Sequence, residues 1–315
     1  MSQNQHQTQG RKLIDAAVVT AFGGPEQVVT AKVPLPVPGA GQVRVRVRAA
    51  GLNPVDALVR LGVFGGEGER LGFGWDVAGE VDAVGAGVID WSAGQRVVGL
   101  HYGAVKELGT HAEYVVLDEG ALAAAPESVD ATAAAVLPLS GLTAARALGQ
   151  LGLAGGESVL VTGAAGMVGG LAVQLAVHAG LKVTALAAPA DEELVRSLGA
   201  TDFVPRGTAG ADAGVRVDGV LDAAVLGEAA LDFVRDGGGY VGLRPGGAPA
   251  PVRGIRVLEQ EVAADGAHLA RLVSLVDEGA LTLRVGGTYA LADAAGAHAR
   301  LAEGGARGRL VLTVA

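Results

Sequence analysis

The chain contains no cysteine, and only 3% of its 315 residues are aromatic. Without cysteine it can form neither a disulfide nor a zinc or iron–sulfur site with thiolate ligands. Half of the residues are hydrophobic, yet no uninterrupted apolar stretch is long enough to span a membrane. The net charge of −9, with no basic stripe, argues against a nucleic-acid partner. Residues 1–11 are polar and lack a signal-peptide core, which predicts a flexible tail and a cytoplasmic location.

One stretch of the chain, residues 158–188, combines a strand, a glycine-rich turn, a helix and a second strand. Apolar runs at 158–162 and 181–186 predict buried strands, and 171–179 carries apolar residues at helical spacing. In such a βαβ unit, a glycine-rich turn predicts a dinucleotide site at the start of the helix.

The turn differs from the G-x-G-x-x-G pattern because Ala164 occupies the place of the first glycine. Gly166 would let a pyrophosphate approach the backbone, and Gly169 would let the helix pack closely on the strand. A tight turn without a ligand is the alternative interpretation in a chain with 51 glycines.

The rest of the chain divides into two regions with different sequence patterns. Residues 11–126 contain short β-like runs and glycine turns, which predict a small antiparallel, barrel-like domain. From about residue 130, helical and strand-like segments alternate, which predicts a parallel, doubly wound sheet. The predicted helices of this region include 131–148, 192–198 and 228–234, and the predicted strands include 219–223 and 240–243.

Several blocks, in this order, resemble the zinc-independent branch of the medium-chain dehydrogenase/reductase superfamily, the quinone oxidoreductases. Together with the glycine turn they cover nearly the whole chain after the tail. The blocks are AGLNPVD at 50–56, GWDVAGEV at 74–81, GQRV at 94–97, GTHAEY at 109–114, PLSGLTA at 138–144, LGA at 198–200 and GRLVL at 308–312.

The resemblance implies an α/β chain of two domains. A GroES-like, β-rich substrate domain would contain residues 12–127 and 251–315, and a Rossmann dinucleotide-binding domain would contain 128–250. The resemblance also implies a nicotinamide cofactor between the domains and commonly a homodimer. The usual reaction is hydride transfer from NADPH to a small-molecule quinone or α,β-unsaturated carbonyl.

The same resemblance predicts that the chain has no catalytic metal. Zinc-dependent relatives place Cys, His and Cys at the positions of Asn53, Trp75 and Leu139, and amide, indole and isobutyl groups cannot replace those ligands. Asp76 stands at the position of the acid beside the zinc site, where a structural carboxylate is slightly favoured over a catalytic one.

Without zinc, hydrogen bonds must polarise the substrate carbonyl. Asn53 and Thr143 are the catalytic candidates: the amide of Asn53 either donates to the substrate or caps the Asn-Pro turn, and Thr143 either approaches the nicotinamide or bonds a preceding helix carbonyl. Leu58 replaces a tyrosine that relatives often carry. The predicted substrate pocket contains Asn53, Leu58, Trp75, His101 and Tyr102.

The predicted cofactor contacts are Thr143, Ala165, Gly166, Met167, Val168, Gly169, Ala188, Arg206 and Leu243. No acid stands at the end of the second strand, where NAD-specific sites hold the 2′-hydroxyl. Arg206 could pair with a 2′-phosphate, although Asp191 has the opposite sign. We therefore predict a modest preference for NADPH, with NADH still usable.

Three functions are consistent with the sequence. The first is a reductase of quinones or enones. The second is a tailoring enoyl or keto reductase of polyketide-type biosynthesis. The third is a cofactor-binding protein without redox turnover, such as a sensor, a scaffold or a non-redox cyclase.

Overall fold

The structure, a computed structural model, describes residues 12–315, so the predicted tail at 1–11 lies outside the described residues. The chain divides into two compact units. Unit 1 contains the described residues up to Pro138 together with Ala264–Val273 and Val285–Ala315, and unit 2 contains Leu139–Ala263 and Ser274–Arg284. Among the described residues, no helix combines the length and apolar character needed to cross a membrane.

The strands are β1 (Leu13–Val19), β2 (Val29–Pro34), β3 (Gln42–Leu52), β4 (Leu71–Gly72), β5 (Asp76–Val84), β6 (Arg96–Leu100), β7 (Tyr114–Asp118), β8 (Leu122–Ala124), β9 (Ser158–Thr162), β10 (Lys182–Ala187), β11 (Asp202–Pro205), β12 (Val217–Asp222), β13 (Val234–Gly242), β14 (Arg256–Glu259), β15 (Val285–Ala290) and β16 (Arg309–Thr313). The helices are α1 (Pro54–Arg60), α2 (Ala131–Ala134), α3 (Pro138–Leu151), α4 (Met167–His178), α5 (Glu192–Ser197), α6 (Gly210–Ala213), α7 (Glu228–Leu231), α8 (Gly266–Asp277) and α9 (Ala294–Glu303).

Unit 1 is built on antiparallel sheets. Strands β15, β16, β3, β5, β6 and β8 form one sheet in that order, β7 pairs with β3, and β2, β1 and β4 form a second sheet. Only the pair β15 and β16 in these sheets is parallel. Alternation along β3 explains its position: Val43, Val45 and Val47 are fully buried, while the arginines between them pair with Asp82 and Glu80.

Unit 2 contains a six-stranded parallel sheet in the order β11-β10-β9-β12-β13-β14. This confirms the predicted doubly wound sheet. The strand order reverses between β9 and β12, and ligands of such sheets bind at this switch point, outside the carboxyl ends of the strands.

Two predicted helices differ from the observed ones. The segment 131–148 forms α2 and α3 rather than one helix, because Pro138 cannot donate a backbone hydrogen bond and is suited only to the first position of a helix. The helix predicted at 228–234 ends at Leu231, since Phe233 and Val234 are buried in the sheet core and Val234 starts β13. In this segment, burial in the sheet core outweighs the local helical periodicity and sets the secondary structure.

Candidate active site

The glycine turn connects β9 to α4 at the switch point of unit 2. Gly163 has φ of +59°, a left-handed conformation, so Gly163 supplies the tight turn that the pattern assigned to position 164. A Cβ on Gly169 would overlap the carbonyl oxygen of Gly163, so the close packing of α4 requires glycine there.

Gly166 is the N-cap residue of α4 and is exposed to solvent. The first N–H groups of a helix have no partner within it, and they attract an anion together with the helix dipole. Ala165, Met167 and Val168 are half-buried beside it. The residues of this turn therefore fit the pyrophosphate of a dinucleotide.

A polar network braces the turn from the side of β12. The Oγ1 atom of Thr162, the last residue of β9, donates to Oδ1 of Asp222 at 2.6 Å. The hydroxyl of Tyr240 donates to Oδ2 of Asp222 at 2.8 Å, and the N–H groups of Leu226 and Gly227 donate to the same carboxylate. Burial, together with Asp222, raises the pKa of Tyr240, so the phenol remains a donor.

Arg284 is a site residue that sequence reasoning missed. Its Nη1 atom donates to the carbonyl of Ala165 at 3.0 Å, and its Nη2 atom donates to the carbonyl of Gly166 at 2.7 Å. Gln174 of α4 accepts a hydrogen bond from the N–H of Thr282 at 2.7 Å and so anchors the segment that carries Arg284. No local pattern around residue 284 indicates this contact, which joins residues about 120 positions apart in the chain.

The other predicted cofactor residues of the sheet lie at the same edge of unit 2. Ala188 follows the end of β10, and Leu243 follows the end of β13. The N–H of Arg206 donates to the carbonyl of Ala187 at 2.6 Å, which fixes Arg206 beside the end of β10 with its side chain exposed. Asp191, the acid nearest this edge in sequence, is buried.

Thr143 lies on α3 and is half-buried. Its hydroxyl donates to the carbonyl of Leu139 at 2.6 Å, the bond to a preceding helix carbonyl that sequence analysis gave as an alternative. The oxygen keeps its capacity to accept a hydrogen bond.

In unit 1, Asn53 belongs to a buried polar cluster. Its Nδ2 atom donates to Oδ2 of Asp76 at 2.7 Å and to the carbonyl of Gly51 at 3.3 Å. The carboxylate of Asp56 accepts from the N–H of Asn53 and from the N–H of Gly74, both at 2.8 Å. Asn53 also begins α1 as its N-cap residue, so the cluster fixes the position and rotamer of this amide.

Three predicted pocket residues lie together beside a lysine. The rings of Trp75 and Tyr102 meet edge to face at 5.6 Å between centroids, and the N–H of His101 donates to the carbonyl of Trp75. The Nζ atom of Lys106 lies 4.5 Å from the centroid of the Trp75 ring. Leu58, on α1, is 41% exposed and presents an apolar surface to solvent.

Two histidines of unit 1, His101 and His298, lie in surroundings that favour the neutral imidazole. Burial and, to a lesser extent, Lys106 lower the pKa of His101 to about 3. His298 lies 4.9 Å from Phe73 between ring centroids, and burial, with His111 and Arg60 nearby, lowers its pKa to about 3. Proton donation from either imidazole near neutral pH is therefore disfavoured.

The residues at the zinc-ligand positions do not fit that metal. Asn53 has its amide nitrogen committed to Asp76 and Gly51, and Trp75 and Leu139 carry no metal-ligating atom. Within residues 12–315, no group of three histidine or acidic side chains is arranged to hold a metal ion.

An antiparallel substrate-type domain and a parallel sheet with a dinucleotide turn at its switch point define the class of nicotinamide-dependent oxidoreductases. Residues 39–127 match the alcohol dehydrogenase GroES-like domain family, and residues 190–312 match the zinc-binding dehydrogenase family.

A quinone oxidoreductase of Pseudomonas aeruginosa is 33% identical over 93% of this chain and 97% of its own length. An NADPH-dependent alkenal/one oxidoreductase of Arabidopsis thaliana chloroplasts is 36% identical over 62% of this chain, which spans only 53% of that relative. The solved quinone oxidoreductase of Coxiella burnetii superimposes with a TM-score of 0.86 at 27% identity, covering 96% of this chain and 100% of the other.

The chain thus belongs to the medium-chain dehydrogenase/reductase superfamily, in its quinone oxidoreductase branch. It combines a GroES-like domain with a Rossmann-like domain, and it is an NAD(P)H-dependent oxidoreductase that acts on a small molecule.

Proposed function

We propose that this enzyme is a zinc-independent, NADPH-dependent reductase that transfers a hydride to a quinone or an α,β-unsaturated carbonyl. The observation that carries the proposal is the replacement of the zinc ligands, in particular by an amide whose nitrogen is committed to Asp76 and Gly51. Such a site lacks a Lewis acid for alcohol oxidation, whereas a conjugated acceptor needs only hydride delivery and a proton. The printed names of the relatives from Pseudomonas and Arabidopsis agree with this acceptor class.

In this proposal the residues of unit 2 hold the cofactor. The first turn of α4 binds the pyrophosphate through the backbone of Ala165 to Gly169, and Arg284 fixes the carbonyl groups of that loop. Ala188 and Leu243 border the dinucleotide, and Thr143 accepts a hydrogen bond from it. A bound nicotinamide cofactor would supply the hydride.

The preference for NADPH is proposed from Arg206. Its backbone bond to Ala187 places this exposed cation beside the end of β10, the position at which NAD-specific sites carry an acid. A guanidinium pairs well with a phosphate, and the nearest acid, Asp191, is buried rather than exposed. NADH would bind more weakly because it lacks the group that Arg206 contacts.

On the substrate side, we propose that Trp75 and Tyr102 form aromatic walls and that Leu58 contributes apolar surface. Planar, conjugated acceptors suit such walls because aromatic rings stack on them. Asn53 donates through its amide nitrogen to Asp76 and to the carbonyl of Gly51, so we propose that it positions the start of α1 and the neighbouring pocket residues rather than donating to the substrate oxygen.

The test is NADPH oxidation by the purified enzyme with a panel of acceptors. The panel contains menadione, phenanthrenequinone, methyl vinyl ketone and a crotonyl thioester. A separate assay in the reverse direction tests the oxidation of ethanol with NADP⁺. We expect turnover with quinones or free enones that survives a chelator and needs no bound zinc.

The other outcomes of this test would favour one of the alternative functions or contradict the proposal. Turnover with the thioester alone would favour the biosynthetic enoyl reductase, and cofactor binding without turnover on any acceptor would favour a non-redox role. Ethanol oxidation that depends on one zinc per chain would contradict the proposal.

The homodimer, the cytoplasmic location and the predicted domain limits after residues 127 and 250 stay predictions. Light scattering, fractionation and limited proteolysis would check them in turn.

A further inference from the structure

Lys106 lies in the segment between β6 and β7 of unit 1, in a half-buried position. Its Nζ atom donates to the carbonyl of His101 at 2.8 Å and to the carbonyl of Gly74 at 3.0 Å. Gly74 directly precedes Trp75 in the chain, and His101 directly precedes Tyr102. The lysine is therefore attached to the backbone of the predicted substrate pocket.

The ammonium group also faces an aromatic surface. Nζ lies 4.5 Å from the centroid of Trp75, and the Trp75 ring also meets the ring of Tyr102 edge to face. An ammonium carries three protons, and within the described part of the chain two of them have carbonyl acceptors. One N–H thus remains for a ligand held against these rings.

Burial and the neighbouring charges set the pKa of Lys106. Burial lowers the pKa of Lys106 to about 8, while the carboxylates of Asp56 and Asp76 oppose the shift. The other titratable groups facing it are His101 and His111, and burial lowers the pKa of each, so neither adds a positive charge near neutral pH. The group is therefore charged near neutral pH and releases its proton readily.

We propose that Lys106 is the catalytic acid that protonates the substrate after hydride transfer, an inference that rests on the proposed function. In the reduction of an enone, the carbon–carbon π bond breaks. A bound dihydronicotinamide would supply the hydride, with its electron pair, that adds to the β-carbon, and it would be the group oxidised. The α-carbon gains a proton from Nζ, and the neutral amine regains one from water.

Two polar side chains that sequence analysis placed in the pocket, those of Asn53 and His101, are less suited to this step. The amide of Asn53 is not an acid, and the imidazole of His101 is neutral. Lys106 differs from both in carrying a cationic proton donor, which lies 4.5 Å from the centroid of the Trp75 ring.

The decisive variants are Lys106→Arg and Lys106→Met. Arginine keeps a cation that donates to the two carbonyls and covers Trp75, but it does not release its proton in this pH range. We expect kcat with an α-methyl cyclohexenone to fall about 100-fold in both variants, while NADPH affinity stays within about twofold. Lys182→Met, at an exposed lysine of β10, is the control and keeps wild-type kcat.

Two signatures separate an acid from a structural lysine. Wild-type kcat falls above about pH 8, where Nζ loses its proton, and this falling limb is absent in Lys106→Arg. In deuterium oxide, the wild type places deuterium on one face of the α-carbon, whereas Lys106→Met gives a mixture of both faces. A purely structural lysine would change neither the pH profile nor the facial selectivity.

A third readout does not depend on turnover. Competitive acetylation across pH should give Lys106 a midpoint well below that of Lys32, whose pKa is raised by its bond to Asp15. A midpoint for Lys106 as high as that of Lys32 would overturn the proposal.

A failure of the proposed role of Lys106 can be distinguished from a failure of the proposed function. A wild type that reduces menadione or the enone, with Lys106→Arg keeping its kcat and pH profile, overturns the role of Lys106 alone. If none of the acceptors supports NADPH oxidation by the wild type, the proposed function is overturned, and the role of Lys106 fails with it.

Discussion

The Nδ2 atom of Asn53 lies 2.7 Å from Oδ2 of Asp76, and neither side chain is more than 1% exposed. The second N–H of this amide faces the carbonyl of Gly51 at 3.3 Å, so the side chain positions the residues around it instead of donating to a substrate oxygen. In Asn53→Ala, the buried carboxylate of Asp76 loses this donor and α1 loses its N-cap residue, so we expect kcat to fall about tenfold, or about 1.4 kcal/mol, while cofactor affinity changes little.

Steady-state kinetics and cofactor titration check this prediction, with the folded state verified by circular dichroism. Gln42→Ala is the matched control, because Gln42 donates to Asp118 at 3.1 Å in an exposed amide–carboxylate pair on β3. An unchanged kcat in Asn53→Ala would assign Asn53 to the cap of α1 alone.

Arg284 should control cofactor affinity from within unit 2. In Arg284→Met, the carbonyls of Ala165 and Gly166 lose the guanidinium that fixes them, so the turn expected to bind the pyrophosphate is held less firmly. We expect the Kd of NADPH to rise about tenfold, or about 1.4 kcal/mol. Fluorescence titration measures it, and Arg271→Met, at an exposed arginine of α8, should leave Kd unchanged. Equal Kd values for the two variants would remove Arg284 from the cofactor site.

Arg206 should decide between the two nicotinamide cofactors. We expect a modest preference of the wild type for NADPH in kcat/KM, and we expect Arg206→Ala to abolish it by weakening NADPH while leaving NADH almost unaffected. Arg216→Ala, at an exposed arginine close in sequence, is the control. A preference that survives the substitution, or a wild type that prefers NADH, would contradict the assignment.

Asp222 should contribute strongly to the stability of unit 2. Its fully buried carboxylate accepts four hydrogen bonds, from Thr162, Leu226, Gly227 and Tyr240. Asp222→Ala leaves these donors without their acceptor, and the hydroxyls of Thr162 and Tyr240 among them are buried, so we expect the free energy of unfolding to drop by about 3 kcal/mol. Urea denaturation measures the drop, and Asp212→Ala, at an exposed acid of α6, should cost far less. A similar stability in the two variants would show that the network is dispensable.

The stability of the protein should fall as the pH decreases from about 7 to 5. The pKa of His298 is lowered from 6.5 to about 3 in the folded state, so in this range the unfolded chain binds a proton that the folded chain excludes. Each such imidazole then lowers the free energy of unfolding by about 2 kcal/mol over that interval. The pKa of His101 is lowered to the same value, so it adds to the effect.

Urea denaturation at several pH values checks this dependence. His298→Leu should flatten the slope by the share of one imidazole, whereas His178→Leu, at the exposed end of α4, should leave the slope as it is. A wild-type slope that His298→Leu does not change would contradict the burial of a neutral imidazole at this position.

Local sequence patterns are enough to predict the classes of structure and the chemistry of the turn. Alternation along residues 43–47 is sufficient to place a half-buried strand, because side chains on successive residues face opposite sides. The strand–glycine–helix–strand order around Gly166 is sufficient to predict a parallel sheet with an anion site, because that geometry follows from local conformation. The absence of cysteine and the residues at the zinc positions depend on no structure at all.

The contacts between groups that are distant in sequence become visible in the folded chain. Arg284 reaches the carbonyls of the glycine turn from a separate segment of unit 2, and Lys106 meets Trp75 through the path of the chain after β6. Burial decided the ionisation of Lys106 and His298, since desolvation depends on every neighbour rather than on sequence position. Local patterns also failed at Val234, where sheet packing overrides helical spacing. Periodicity and motifs report the forces along the chain, whereas contacts and electrostatics arise between segments that only folding brings together.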